Sequence, residues 1–117
     1  MPIAQQFETA SSEIDYIPHK SFAGVFLKHL VKGEKTEGQI SSHLVKVEPF
    51  CSLSEHVHIG QFEIHQVIQG TGECSIAGKL VDYAPGIVVV IPQGIPHSVI
   101  AKEGGLYILA SFSPALL

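Results

Sequence analysis

A chain of 117 residues with a net charge of −4 has the size of one domain with a single modest core. Hydrophobic residues at 45% against 15% charged exclude a disordered chain, and no unbroken apolar run is longer than Ile87 to Ile91, which is far too short to cross a bilayer. All seven cationic side chains are lysines and they form no cluster, so there is no guanidinium fork for bases or phosphates and no nucleic-acid partner is expected.

The opening stretch, MPIAQQFETASS, has neither a basic start nor an apolar core segment, so no secretory signal is visible and a cytoplasmic protein is expected. Residues 1–23 lack periodicity and are interrupted by Pro2 and Pro18. They read as an extended arm that packs on the body of the domain or on a second subunit. From Gly24 the pattern becomes β. Val25, Leu27, His29 and Val31 alternate with Phe26, Lys28, Leu30 and Lys32. The composition of residues 33–38, GEKTEG, predicts a turn. In the next strand, Ile40 to Glu48, His43, Val45 and Val47 share a face opposite Lys46 and Glu48.

His56 to Gly70 reads HVHIGQFEIHQVIQG. On an extended strand His56 and His58 point to one face. A turn at Gly60-Gln61 then brings a second strand back beside the first and sets Glu63 near the two imidazoles. Two histidines and a carboxylate converging from such a hairpin suit a divalent metal with nitrogen and oxygen ligands.

Gly70-Thr71-Gly72 predicts a turn, and Ala77-Gly78-Lys79 a hairpin turn into Leu80 to Tyr83. Val88 to Ile91 is β-branched throughout and reads as a buried strand. Pro92 to Pro96 is a rigid loop that presents His97. The last strands, His97 to Ala101 and Leu106 to Phe112, are split at Glu103-Gly104-Gly105. Short strands with frequent turns and no helical period predict an all-β sandwich or barrel. Cys51 and Cys74 form no C-x-x-C pair and read as half-buried thiols in a reducing compartment.

Two blocks of this sequence resemble the signature motifs of the cupin superfamily. The first is carried by His56, His58, Glu63 and Gly70, the second by Gly86, Pro92, Gly94 and His97, both with the family spacing. The chain departs from the family at Ile87, where aspartate is common, and at Ala101, where asparagine is. It also lacks the usual glycine before the histidine pair, around Phe50-Cys51-Ser52. The resemblance covers roughly residues 24–113. It implies a double-stranded β-helix, the jelly-roll cupin barrel, over 24–113, with 1–23 as its N-terminal arm. It further implies one metal ion held by His56, His58, Glu63 and His97, and assembly as a homodimer. Four such ligands without a thiolate suit Fe, Mn, Ni or Zn, with positions left for water, dioxygen or substrate.

Strand parity adds pocket residues. If Glu63 faces inward, so do His65 and Val67, and if His97 does, so do Val99 and Ala101. His43 joins them if the valine face of its strand is the interior one. Val45, Val47, Val67, Val99, Leu109, Tyr107 and Phe112 are the expected wall, which would favour a small, partly apolar organic ligand. An inward His65 would support the metal site or carry a proton. The expected function is therefore a metal-dependent enzyme acting on a small organic molecule, dioxygenase-like or a related isomerase, decarboxylase or lyase. In it Glu63 or His65 would be the catalytic proton acceptor. The alternative from a different class is a non-catalytic small-molecule-binding or sensor barrel.

Overall fold

The computed structural model describes residues 14–117; most of the predicted arm, residues 1–13, lies outside them. Eight strands follow in order: β1 (Ile17–Pro18), β2 (Val25–Val31), β3 (Ser41–Val47), β4 (Ser52–His56), β5 (Phe62–Ile76), β6 (Lys79–Tyr83), β7 (Val88–Ile91) and β8 (His97–Ser113). All pairings are antiparallel. Among the described residues there is no α-helix; residues 33–38, expected as a plain turn, begin with a short 3₁₀ segment over Gly33–Lys35. Among the described residues no helix is long and apolar enough to cross a membrane.

β5 and β8 organise the fold because each runs through both sheets of the jelly roll. The first half of β5 pairs with β7 and with the second half of β8, whose other edge carries β3, β2 and β1. The second half of β5 pairs with β6 and with the first half of β8, whose other edge carries β4. Neither Gly70-Thr71-Gly72 nor Glu103-Gly104-Gly105 ends a strand, contrary to the sequence expectation. Both lie inside continuous strands, where the register between β5 and β8 jumps from Gly70↔Leu106 to Gly72↔Ala101. The extra residues on β8 form a bulge, and the paired strands turn there from one sheet to the other. Gly70, with φ +87°, and Gly105, with φ +76°, meet at this corner, and a Cβ on Gly70 would collide with the Gly105 carbonyl. By contrast the expected hairpin between β5 and β6 is present, with Ala77 and Gly78, both at positive φ, as its two-residue loop and Lys79 already paired with Ile76.

Inward alternation builds the core between the sheets from Val25, Val47, Val67, Cys74, Val99, Leu106 and Ile108. The inward files of β3 and β5 change character along their length. Ser41 and His43 give way to Val45 and Val47, and Glu63 and His65 give way to Val67. One end of the barrel is therefore apolar core and the other a polar chamber.

Three further expectations need correction. β7 is buried on one face only: Ile91 is buried, while Val88 and Val90 are 58% and 57% exposed. An all-β-branched run hides which face is wet, because it contains no polar residue to mark it. Leu109 and Tyr107 do not line the interior, since Ile108, Ala110 and Phe112 take the inward positions of β8. The bulge at residues 102–105 shifts the parity of everything after it. Finally, β4 and β5 are not a paired hairpin. The chain does reverse at Ile59-Gly60, but β4 pairs with β8, His56 opposite His97.

Candidate metal centre

The chamber at the polar end brings together residues from β4, β5, β8 and the loop after β4. His56, His58, Glu63 and His97 each offer one ligand atom, and these atoms lie within 4.8 Å of one another. A transition-metal ion with bonds of about 2.1 Å holds its donors roughly 3 to 4.2 Å apart, so a few tenths of an ångström of contraction would satisfy one.

The hydrogen bonds around the group prepare it for a cation. His56 Nδ1–H donates to the Ser54 carbonyl at 2.7 Å and His97 Nδ1–H to the Ile95 carbonyl at 3.0 Å. In a neutral ring each bond leaves Nε2 as a lone pair. His97 Nε2 lies 3.0 Å from Glu63 Oε1, and His58 Nε2 lies 3.7 Å from the same oxygen. Neither Glu63 Oε1 nor His97 Nε2 makes a hydrogen bond, although both atoms are buried. Two acceptors held this close and shielded from water need a positive charge between them, and a proton or a metal ion supplies it.

The other carboxylate oxygen is tied down. His65 Nε2–H donates to Glu63 Oε2 at 2.7 Å, and Tyr83 O–H donates to His65 Nδ1 at 2.8 Å. Both His65 nitrogens are thus hydrogen-bonded, which orients the carboxylate. Burial alone would push the Glu63 carboxyl up, but the imidazoles of His65 and His97 outweigh it and hold Glu63 well below the usual carboxylate range. Burial lowers His56 and His58, which favours the neutral form that metals bind. For His97 burial works the same way, yet the Glu63 carboxylate prevails and raises it.

The group opens onto a cavity of about 140 Å³ whose wall includes Leu27, Val45, Leu53, Ile108, Phe112 and Leu116. Of the expected wall residues, Val45 and Phe112 line it, whereas Val47, Val67 and Val99 belong to the core below. The side of the cavity formed by β2 and β3 carries more histidine. His29 and His43 meet Nδ1 to Nδ1 at 2.8 Å, and His43 Nε2 lies 2.9 Å from Ser41 Oγ. Cross-strand register explains the layout. His29, His43, Ala110 and His65 stand in one row across β2, β3, β8 and β5, with the small Ala110 between two inward imidazoles.

Every sequence-nominated site residue is in this chamber: His56, His58, Glu63 and His97 in the ligand group, His65 behind Glu63, and His43 opposite. Sequence reasoning missed Tyr83, His29 and His19, all of which contribute to the site or its cavity. His29 did carry a signal, as a lone histidine among the apolar residues of one strand face. Tyr83 carried none, because its approach to His65 depends on the β5–β6 pairing.

A cupin-domain family model matches residues 43–109, which include all four residues of the ligand group. No curated protein matches the sequence significantly. Among solved structures, KdgF from Halomonas sp. is similar over 91% of each chain at 23% identity, with a TM-score of 0.81. A predicted oxalate decarboxylase from Thermotoga maritima is 28% identical over 91% of this chain and 97% of that one, with a TM-score of 0.78. An RmlC-like cupin from Shewanella frigidimarina shares the fold at 14% identity, covering 90% of this chain and 87% of that one, again with a TM-score of 0.78.

Proposed function

This chain belongs to the cupin domain family, and on that premise we propose that it is a metal-dependent enzyme acting on a small organic molecule. One observation carries the reading: buried Glu63 Oε1 and His97 Nε2 face each other without a hydrogen bond, in a ligand group that opens onto a cavity. His56, His58, Glu63 and His97 would hold the ion, with Fe, Mn, Ni and Zn all compatible with the donor set. The bound ion would supply Lewis acidity to an oxygen of the substrate. The similarity to a predicted oxalate decarboxylase supports a small oxygen-bearing substrate, and a dioxygenase or decarboxylase type of reaction is the working assignment.

The protein's own groups would do the rest. Glu63, with its depressed carboxyl, is better suited as a ligand than as a base. His65 would hold Glu63 Oε2 and orient the carboxylate, itself held in place by the Tyr83 hydroxyl. The apolar walls would exclude water and keep the electrostatics strong. A homodimer belongs to the same proposal, supported by exposed Ile64, Ile68, Val88 and Val90 on the outer faces of β5 and β7. Sedimentation velocity of the wild type and of Val90→Glu tests it.

Elemental analysis of purified wild type, His58→Ala and His97→Ala tests the site; wild-type metal content in both variants would remove the assignment. Oxygen-consumption and turnover assays on ligands found by thermal shift then separate enzyme from sensor. Ligand binding without turnover under any of the four metals would favour the non-catalytic barrel.

A further inference from the structure

The hydrogen-bond network assigns the tautomers of two cavity-lining histidines that the metal group does not use. Ser41 is fully buried, and its Oγ has two partners among the described residues: it accepts from Leu116 N–H at 2.9 Å and lies 2.9 Å from His43 Nε2. The hydroxyl proton therefore has one acceptor, His43 Nε2. His43 must then carry its own proton on Nδ1 and donate it to His29 Nδ1, 2.8 Å away. That leaves His29 with its proton on Nε2. His19 reaches the same state by a separate route. Its Nδ1 accepts from the backbone N–H of Ser21 at 3.0 Å and of Phe22 at 3.3 Å, so Nε2 carries the hydrogen. Both rings line the cavity that holds the ligand group, and neither Nε2–H has a partner among the described residues.

We propose that His19 and His29 form a two-donor subsite for an acceptor oxygen of the ligand, such as a carboxylate or an enolate, in the cavity onto which the ligand group opens. No lysine lines the cavity and the chain contains no arginine, so these neutral N–H groups take the place of a cationic anchor. Burial keeps both rings uncharged by lowering them from their ordinary range. His43 and Ser41 are positioning residues: they fix which nitrogen of His29 bears the hydrogen. Combined with the proposed metal centre, on which this part rests, the subsite selects a compact molecule with oxygen functions at both ends. A simple monocarboxylate would use one end alone.

Malonate and acetate serve as probes, with ring ¹H–¹⁵N correlation spectra of uniformly labelled protein, metal-free and zinc-loaded, as the readout. His19 and His29 are expected as Nε2–H tautomers, with their Nε2–H resonances moving on addition of malonate. In the zinc-loaded protein malonate is expected to bind about tenfold tighter than acetate, the worth of one good hydrogen bond to a charged group. His29→Phe removes that advantage. Ser41→Ala frees the His43 tautomer and with it that of His29, seen in the spectrum before any ligand is added. An Nδ1–H tautomer at His29 in the wild type overturns the proposal, as does an absence of malonate-induced shifts at His19 and His29 in both metal states. So does a malonate advantage that survives His29→Phe. Failure of zinc to bind overturns the metal reading instead; malonate shifts in the metal-free spectra then decide the subsite independently.

Discussion

His97 Nε2 stands 3.0 Å from Glu63 Oε1 with no hydrogen bond joining them. A buried polar pair in this state is costly, and an ion inserted between the two atoms would turn the cost into stabilisation. Metal binding should therefore appear as folding stability. At a free concentration one hundred times Kd, the gain is about 2.7 kcal/mol, roughly a 10 °C rise in Tm for a domain of this size. Thermal melts with added Mn or Zn, and with a chelator, check the wild type. His97→Ala should show no metal-dependent rise, and an equal rise in both proteins would place the ion elsewhere.

Tyr83 donates to His65, which donates to Glu63, so the phenol supports a carboxylate it never touches. Tyr83→Phe leaves the buried Nδ1 of His65 without a partner. The expected cost is about 1–3 kcal/mol in urea denaturation, with about a tenfold loss of metal affinity as Glu63 loosens. Titration calorimetry checks the second figure. Stability lost with metal affinity intact would show that Tyr83 only packs.

How much of this was legible beforehand depends on the range of the interactions involved. His56, His58, Glu63 and His97 could be nominated because two-residue parity and motif spacing are local properties. The same parity made His65 inward on the condition that Glu63 was, and His43 inward on the condition that the valine face of its strand was interior; both conditions hold in the fold. Parity failed at Leu109 and Tyr107 because the bulge before them inserts residues that no local pattern announces. Gly70 to Gly72 and Glu103 to Gly105 read as chain reversals, since glycine marks a sharp bend without saying whether pairing continues through it. Pairing does continue here, and the two glycine segments face each other across it. Tyr83 and the Ser41–His43–His29 chain stayed invisible because they exist only after distant strands are in register.

Gly70 offers a clean measure of that corner. Its φ of +87° resembles the +93° of Gly60, but a Cβ at Gly60 meets open space while one at Gly70 meets the Gly105 carbonyl. Gly60→Ala should cost only the strain of the left-handed backbone, about 1 kcal/mol. Gly70→Ala carries that strain and the collision, and should cost 3 kcal/mol or more. Equilibrium denaturation of both variants isolates the collision as the difference, and equal losses would mean that the corner relaxes freely.

His43 should shape the acid limb of the stability curve. Burial, aided by His29 and Lys32 and opposed by Glu63, lowers its pKa from 6.5 to about 4. A histidine lowered in the fold takes up its proton more readily in the unfolded chain. Between pH 6.5 and about 4 the unfolded state therefore binds more protons, and stability falls as the pH falls. The contribution of His43 is complete above pH 6.5 and is lost on descent through that window, with a slope approaching about 1.4 kcal/mol per pH unit. His19, His29, His56 and His58 are lowered as well and add to the wild-type slope. The comparison is therefore with His43→Gln, whose amide can replace both hydrogen bonds without titrating. In metal-free protein, urea midpoints from pH 7 to pH 4 should fall more steeply for the wild type than for the variant. Parallel slopes would mean that His43 is not held neutral by its surroundings.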